Sequence, residues 1–214
     1  MTKIAPSLLS ANFSCLADEI KRIEQTADML HLDVMDGHFV NNITFGPVVV
    51  SAIRDKSQLL FDVHLMITNP AQIIPAFISS GADIITIHAE CQDELLPVIR
   101  MIKDAGIKAG VSINPPTPLG VVVPLLGEID LLLIMSVNPG WSGQGFMPEI
   151  LPKIREAKAL IERDNLLVEI EVDGGINLET GKQAVEAGAN ILVAGSFVFN
   201  SPDPGKAIEG LKDL

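Results

Sequence analysis

Short apolar runs alternate with amphipathic stretches from one end of the chain to the other. Strand-length runs fall at 4–9, 29–34, 59–64, 84–88, 109–113, 131–136, 167–172 and 191–193. Between them, helical spacing of apolar positions predicts helices over 15–26, 70–79, 94–105, 148–163, 178–187 and 204–214. Several open on expected start signals, such as Asn69-Pro70 and Asn177-Leu178-Glu179. Gly81-Ala82 and Gly188-Ala189 close two helix-to-strand connections, where glycine supports a left-handed helix end. Strands buried on both faces read as continuous Ile/Leu/Val runs, and strand–helix alternation implies parallel pairing. Eight such units fit a small (β/α)8 barrel of the α/β class, one domain over residues 1–214. An open doubly wound sheet is the alternative, disfavoured because no GxGxxG follows the first strand.

Composition narrows the picture further. With 48% hydrophobic residues in 214, the chain can bury one sizeable core, and no Pro/Gly/Ser-rich linker divides it. A net charge of -12 with no basic run argues against nucleic acid or an anionic membrane surface as partner. The first residues lack the apolar core of a signal peptide and no run reaches a membrane span, so a cytoplasmic location is expected. Cys15 and Cys91 show neither CxxC nor zinc-ligand spacing and read as reduced thiols.

The chemistry concentrates at strand ends. His31-Leu32-Asp33 places an imidazole and a carboxylate on one side of a strand, because residues i and i+2 point the same way. Asp62-Val63-His64 ends a second run with a histidine, and Glu171-Val172-Asp173 ends a later one with an aspartate. Singly, an inward histidine is a hydrogen-bonded core residue and an aspartate is a helix cap. Together, His31, Asp33, His64 and Asp173 form a ligand set suited to one divalent first-row metal (Zn, Fe, Mn or Co). Such an ion would also remove the cost of burying the carboxylates.

Three glycine-rich loops, 138–145, 173–175 and 195–196, follow the sixth, seventh and eighth strands and contain no Lys or Arg. An anion held there would meet backbone N–H groups. Loops after strands seven and eight are the habitual phosphate site of a (β/α)8 barrel. Met35, Met66 and Met135 flank the same elements, as core filler or as a polarisable lining of the barrel mouth.

Several motifs together resemble the ribulose-phosphate 3-epimerase family. They are Ala5-Pro6-Ser7, the run His31-Leu32-Asp33-Val34-Met35-Asp36-Gly37-His38-Phe39-Val40, Asp62-Val63-His64-Leu65-Met66, Val137-Asn138-Pro139-Gly140 and Glu171-Val172-Asp173-Gly174-Gly175. The resemblance spans nearly the whole chain. It implies a barrel enzyme interconverting D-ribulose 5-phosphate and D-xylulose 5-phosphate through an enediolate, with one divalent metal ion. By position, it makes His31, Asp33, His64 and Asp173 metal ligands, and Asp33 with Asp173 the acid/base pair. It makes Ser7, His64, Gly140, Trp141, Ser142, Gly143, Asp173, Gly174, Gly175, Gly195 and Ser196 substrate contacts. It also makes Met35, Met66 and Met135 the active-site lining and implies a homo-oligomer. Asp36, Asp62 and His88 are candidates for outer partners of the ligands, with solvated or structural roles the alternative. The chain departs from the family pattern at Asn41, at Trp141-Ser142 and at Phe197-Val198, and the last two touch the phosphate loops. D-allulose-6-phosphate 3-epimerase of the same family is therefore an alternative. A sugar-phosphate-binding barrel without catalysis, and a barrel lyase or decarboxylase, are alternatives of other classes. The decarboxylase or lyase reading is weakened by the lack of a strand-end lysine.

Overall fold

Eight strands alternate with helices along residues 2–214, the part of the chain that a computed structural model describes. The strands are β1 (Lys3–Pro6), β2 (Met29–Met35), β3 (Leu60–Met66), β4 (Ile84–His88), β5 (Lys108–Ile113), β6 (Leu131–Met135), β7 (Glu169–Asp173) and β8 (Ile191–Ala194). All neighbours pair in parallel in the order β1-β8-β7-β6-β5-β4-β3-β2, and a parallel bridge from Ser7 to His31 joins the two outer strands. The result is a nearly closed (β/α)8 barrel, as the alternation predicts.

The helices are α1 (Leu16–Lys21), α2 (Pro47–Arg54), α3 (Ile74–Ser79), α4 (Leu95–Asp104), α5 (Leu151–Arg163), α6 (Leu178–Ala187), α7 (Ser196–Phe199) and α8 (Pro204–Lys212). Periodicity misses α2, whose Val48-Val49-Val50 run carries the stiff β-branched residues of a strand. The expected helices at 70–79 and 148–163 each begin as a 3-10 turn, Pro70–Gln72 and Pro148–Ile150. The α-helical bonds start only where Pro75 and Pro152 fall in the first turn, since proline has no N–H to donate. Helix 15–26 is shorter than expected, ending at Lys21. The first strand is also shorter, because Ser7 caps a 3-10 turn over Leu8–Ser10. Between β5 and β6 two 3-10 turns take the place of an α-helix.

The side chains divide by the two-residue period of the strands. Leu30, Leu32, Val34, Val63, Leu65, Ile85, Ile87, Ile134, Ile170 and Val172 face outward and join the helices in one large buried apolar cluster. The alternate residues fill the barrel, and they are of two kinds. Ala5, Met29, Leu131, Leu133, Ile191 and Val193 make a small apolar cluster on one side. His31, Asp62, Thr86, Ser112 and Glu171, all fully buried, make the rest polar. That polar interior is where the site is built.

One clamp recurs four times at the opposite, amino-terminal end. Asp28, Asp83, Asp130 and Asn190 each precede an even-numbered strand. Each accepts the N–H of a residue in the preceding odd-numbered strand: Ile4, Phe61, Ala109 and Ile170, at 2.7–2.9 Å. Each returns its own N–H to the carbonyl of that same residue at 2.8–3.1 Å. Among the described residues no helix is long and apolar enough to cross a membrane.

Candidate active site

β2 and β3 pair so that His31 faces Asp62 and Asp33 faces His64, and the parallel ladder brings all four inward. Asp173 ends β7. One donor atom from each of His31, Asp33, His64 and Asp173 lies within 4.8 Å of the other three. Asp33 Oδ1 is 3.2 Å from His64 Nδ1 and 3.5 Å from His31 Nε2, and the two imidazole nitrogens are 3.3 Å apart. Asp173 Oδ2 lies 3.9 Å from His31 Nε2. His31 is the third residue of the seven in β2, so the cluster sits inside the barrel rather than wholly at the strand ends.

Both rings and the Asp33 carboxylate have a second partner. His31 Nδ1 meets Asp62 Oδ2 at 2.5 Å, His64 Nε2 meets His88 Nε2 at 2.8 Å, and His88 Nδ1 meets Glu90 Oε2 at 3.1 Å. The Ser7 hydroxyl donates to Asp33 Oδ2 at 2.5 Å. Asp62 and His88 thus hold the outer nitrogens of His31 and His64. Asp36 does not. It accepts the N–H groups of His38, Phe39 and Thr68 and ties the loop after β2 to the end of β3.

So many acceptors in one buried place repel one another unless positive charge sits among them. Burial pushes His31 down, yet the Asp33 and Asp62 charges hold it well above the ordinary histidine range. Burial raises Asp33, but the charge and hydrogen bonds of His31, with His64, overcome this and hold it far below the usual carboxylate range. Asp173 moves the other way, pushed up to about 7 by burial and the Asp33 charge. Burial lowers His64 to about 4, so that ring is neutral at neutral pH. A buried set of two imidazoles and two carboxyl groups that draws positive charge inward fits a divalent first-row ion.

Above the cluster a narrow cleft opens to solvent between the loops that follow the strands. Ser7, Met35, Met66, Met135, Gly140, Trp141, Ser142, Gly143, Gly174, Gly175, Gly195 and Ser196 all line it, with Asp33 and Asp173 at its floor. His31 and His64 lie beneath, fully buried. No Lys or Arg lines the cleft. Gly175 takes φ 63°, and a Cβ there would stand 2.3 Å from the Phe146 nitrogen, so this turn tolerates no side chain.

The structure adds and removes residues. Ser10 and Gln144 join the lining. The Ser10 hydroxyl is buried without a partner, and the Gln144 amide donates to the carbonyls of Asn138 and Trp141 at 2.7 and 2.9 Å, pinning the loop. Reading 4–9 as strand hides Ser10, which only the turn at Leu8–Ser10 brings round. Trp141 stands at the rim, 62% exposed. Phe197 is not in the cleft. It packs against the apolar cluster, so its bulk cannot shorten the phosphate end. Cys15 and Cys91 are free thiols.

The model of the "Ribulose-phosphate 3 epimerase family" matches residues 3–199. The "Ribulose-phosphate 3-epimerase" of Bacillus subtilis is 50% identical over 216 residues, covering 99% of both chains. The chloroplastic "Ribulose-5-phosphate-3-epimerase" of Arabidopsis thaliana is 47% identical over 98% of this chain and 75% of its own. Among solved structures, 3-keto-L-gulonate-6-phosphate decarboxylase from Vibrio cholerae superposes with a TM-score of 0.72 at 15% identity, over 100% of this chain and 95% of that one. Orotidine 5'-monophosphate decarboxylase from Sulfolobus solfataricus does so with 0.68 at 11%, over 100% and 97%. At such identities the two structures speak for the barrel alone.

Proposed function

This chain belongs to the ribulose-phosphate 3-epimerase family, and we propose that residues 1–214 act as one catalytic domain interconverting D-ribulose 5-phosphate and D-xylulose 5-phosphate by proton transfer at C3. One observation carries the reading. Asp33 and Asp173 come from strands separated by β1 and β8, and both reach the floor of one cleft beside the histidine pair.

Epimerisation beside a ketone requires loss of a weakly acidic C–H proton and return of a proton to the other face. Two carboxylates approaching from different strands supply a base and an acid. Asp33 and Asp173 share the two roles, one taking the C3 proton and the other delivering one, with roles exchanged in the reverse direction. Ser7 holds the second oxygen of Asp33 and so fixes the plane of that carboxylate. A divalent ion on His31, Asp33, His64 and Asp173 would supply fixed positive charge against the negative charge developing on the ketose oxygens. Met35, Met66 and Met135 wall the reacting region with apolar, nearly fully buried side chains that keep water from the carbanionic carbon. The phosphate belongs at Gly174–Gly175 and Gly195–Ser196, where backbone N–H groups are the available donors.

Turnover of ribulose 5-phosphate and allulose 6-phosphate, side by side on metal-defined protein, tests substrate and mechanism together. The pentulose phosphate should have the higher kcat/KM. Asp33→Asn and Asp173→Asn should each cost at least about 10²–10⁴-fold, the usual contribution of general acid–base catalysis. Chelation should abolish the activity and a divalent ion restore it. Full activity in verified metal-free protein, or either variant keeping more than about a tenth of the rate, would sink the mechanism. A preference for the hexulose phosphate would reassign the substrate.

A further inference from the structure

Glu90 stands two residues beyond His88, outside the ligand cluster and half-buried, yet its carboxylate is fully engaged. Oε2 faces His88 Nδ1 at 3.1 Å. Oε1 accepts the Asn114 N–H at 2.9 Å and the Thr117 hydroxyl. The loop carrying those two donors is held in turn by Lys153, whose ammonium donates to the carbonyls of Asn114, Pro115 and Thr117 at 2.6–3.1 Å. Nothing in the acid/base chemistry uses this anchor.

Its consequence follows from counting protons along the chain of contacts. A carboxylate only accepts, so His88 Nδ1 must carry the proton. A neutral His88 then has its lone pair on Nε2. That atom is 2.8 Å from His64 Nε2 while the ring centroids stand 4.9 Å apart, so the rings meet through these nitrogens. Seen from the Glu90 end, the shared proton therefore belongs on His64 Nε2. A neutral His64 is left with its lone pair on Nδ1, the atom 3.2 Å from Asp33 Oδ1 and 3.3 Å from His31 Nε2. We propose that Glu90 is a positioning residue, which selects through His88 the nitrogen that His64 turns towards the ligand cluster. This rests on the metal reading above only for its purpose. Without an ion Asp33 Oδ1, 3.2 Å from His64 Nδ1, competes for the proton, and the Glu90 anchor opposes that pull.

Glu90→Gln separates this role from simple packing. The Asn114 N–H is a fixed donor, so the glutamine carbonyl must take that side and present its NH₂ to His88 Nδ1. That reverses every proton in the chain and leaves N–H on His64 Nδ1, where it blocks a metal bond. Glu90→Asp keeps the carboxylate. Long-range 1H–15N NMR of the metal-free protein near neutral pH should show His64 protonated on Nε2 in wild type and Glu90→Asp, and on Nδ1 in Glu90→Gln. Zinc affinity, measured by competition with a chromophoric chelator, should fall about 10–100-fold in Glu90→Gln and recover most of that in Glu90→Asp. Wild-type His64 protonated on Nδ1 would overturn the proposal, whether or not any variant folds. So would zinc binding in folded Glu90→Gln as tight as in wild type. The expected tautomer in a wild type that binds no divalent ion would instead support the relay and count against the metal reading.

Discussion

Glu171 shows how far a single interior residue departs from its exposed counterpart. It is fully buried, lies 3.6 Å from His31 Nδ1, and neither of its carboxyl oxygens has a hydrogen-bond partner. Burial, then the Asp62 charge, push it up to about 8, so it is a neutral acid at neutral pH. A carboxyl whose pKa is raised by folding stabilises the native state below its unfolded pKa and loses that contribution as pH rises through its folded one. The stability of chelator-treated wild type should therefore fall relative to Glu171→Gln as pH rises from about 5 to about 9. Urea unfolding of both proteins across that range checks it, and a difference independent of pH would contradict the raised acid. Residues of this kind mark where sequence reading stops. His31, Asp33, His64 and Asp173 are legible because strand period and ligand type agree. Glu171 shares its face with Asp173 by the same period, yet its lack of a partner appears only once β2, β3 and β7 enclose it. The relay from Glu90 needs contacts across three strands and is invisible for the same reason.

At the scale of elements, the carboxyl-terminal end of the barrel carries the chemistry and the amino-terminal end carries the fourfold clamp. The two can be separated by mutation. Asn190 is the informative member, because it is uncharged and its loss removes a hydrogen bond without breaking an ion pair. Asn190→Ala leaves the Ile170 N–H without its side-chain acceptor at the start of β7, at a cost of about 1–3 kcal/mol. Asn190→Asp, which keeps an acceptor, should recover most of it. Activity per folded molecule should stay unchanged, since Asn190 does not line the cleft. Denaturant midpoints with kcat measured on the same samples decide, and an unaltered midpoint for the alanine variant would show the clamp to be dispensable. The eight strands are legible because a barrel strand is apolar on its helix-facing side throughout, which keeps each run dense. The helices are less so: α2 is written in valines and α7 is only four residues long. The clamp sits in plain view at Ala27-Asp28, Ala82-Asp83, Ile129-Asp130 and Ala189-Asn190, but an aspartate before a strand has no meaning until its partner strand is known.

For the whole molecule the unresolved tension is charge. The chain carries 27 acidic against 15 Lys and Arg residues, net -12, and its cleft has no cationic side chain, yet the substrate we propose is an anion. Long-range forces therefore oppose capture, while the backbone N–H groups and the divalent ion we propose for the cleft would favour the docked state. Salt separates these two contributions. Between about 10 mM and about 150 mM ionic strength the Debye length contracts from about 30 Å to about 8 Å, which screens the surface but not contacts inside the cleft. The value of kcat/KM should hold or rise over that range, and kcat should stay level because the docked complex is little affected. An enzyme steered by surface cations would behave in the opposite way, losing kcat/KM steeply as salt is added. Steady-state kinetics in a non-coordinating salt, at fixed metal loading, distinguish the two. A steep fall would mean that a cation on the approach path recruits the phosphate, and the glycine loops would no longer suffice as its site.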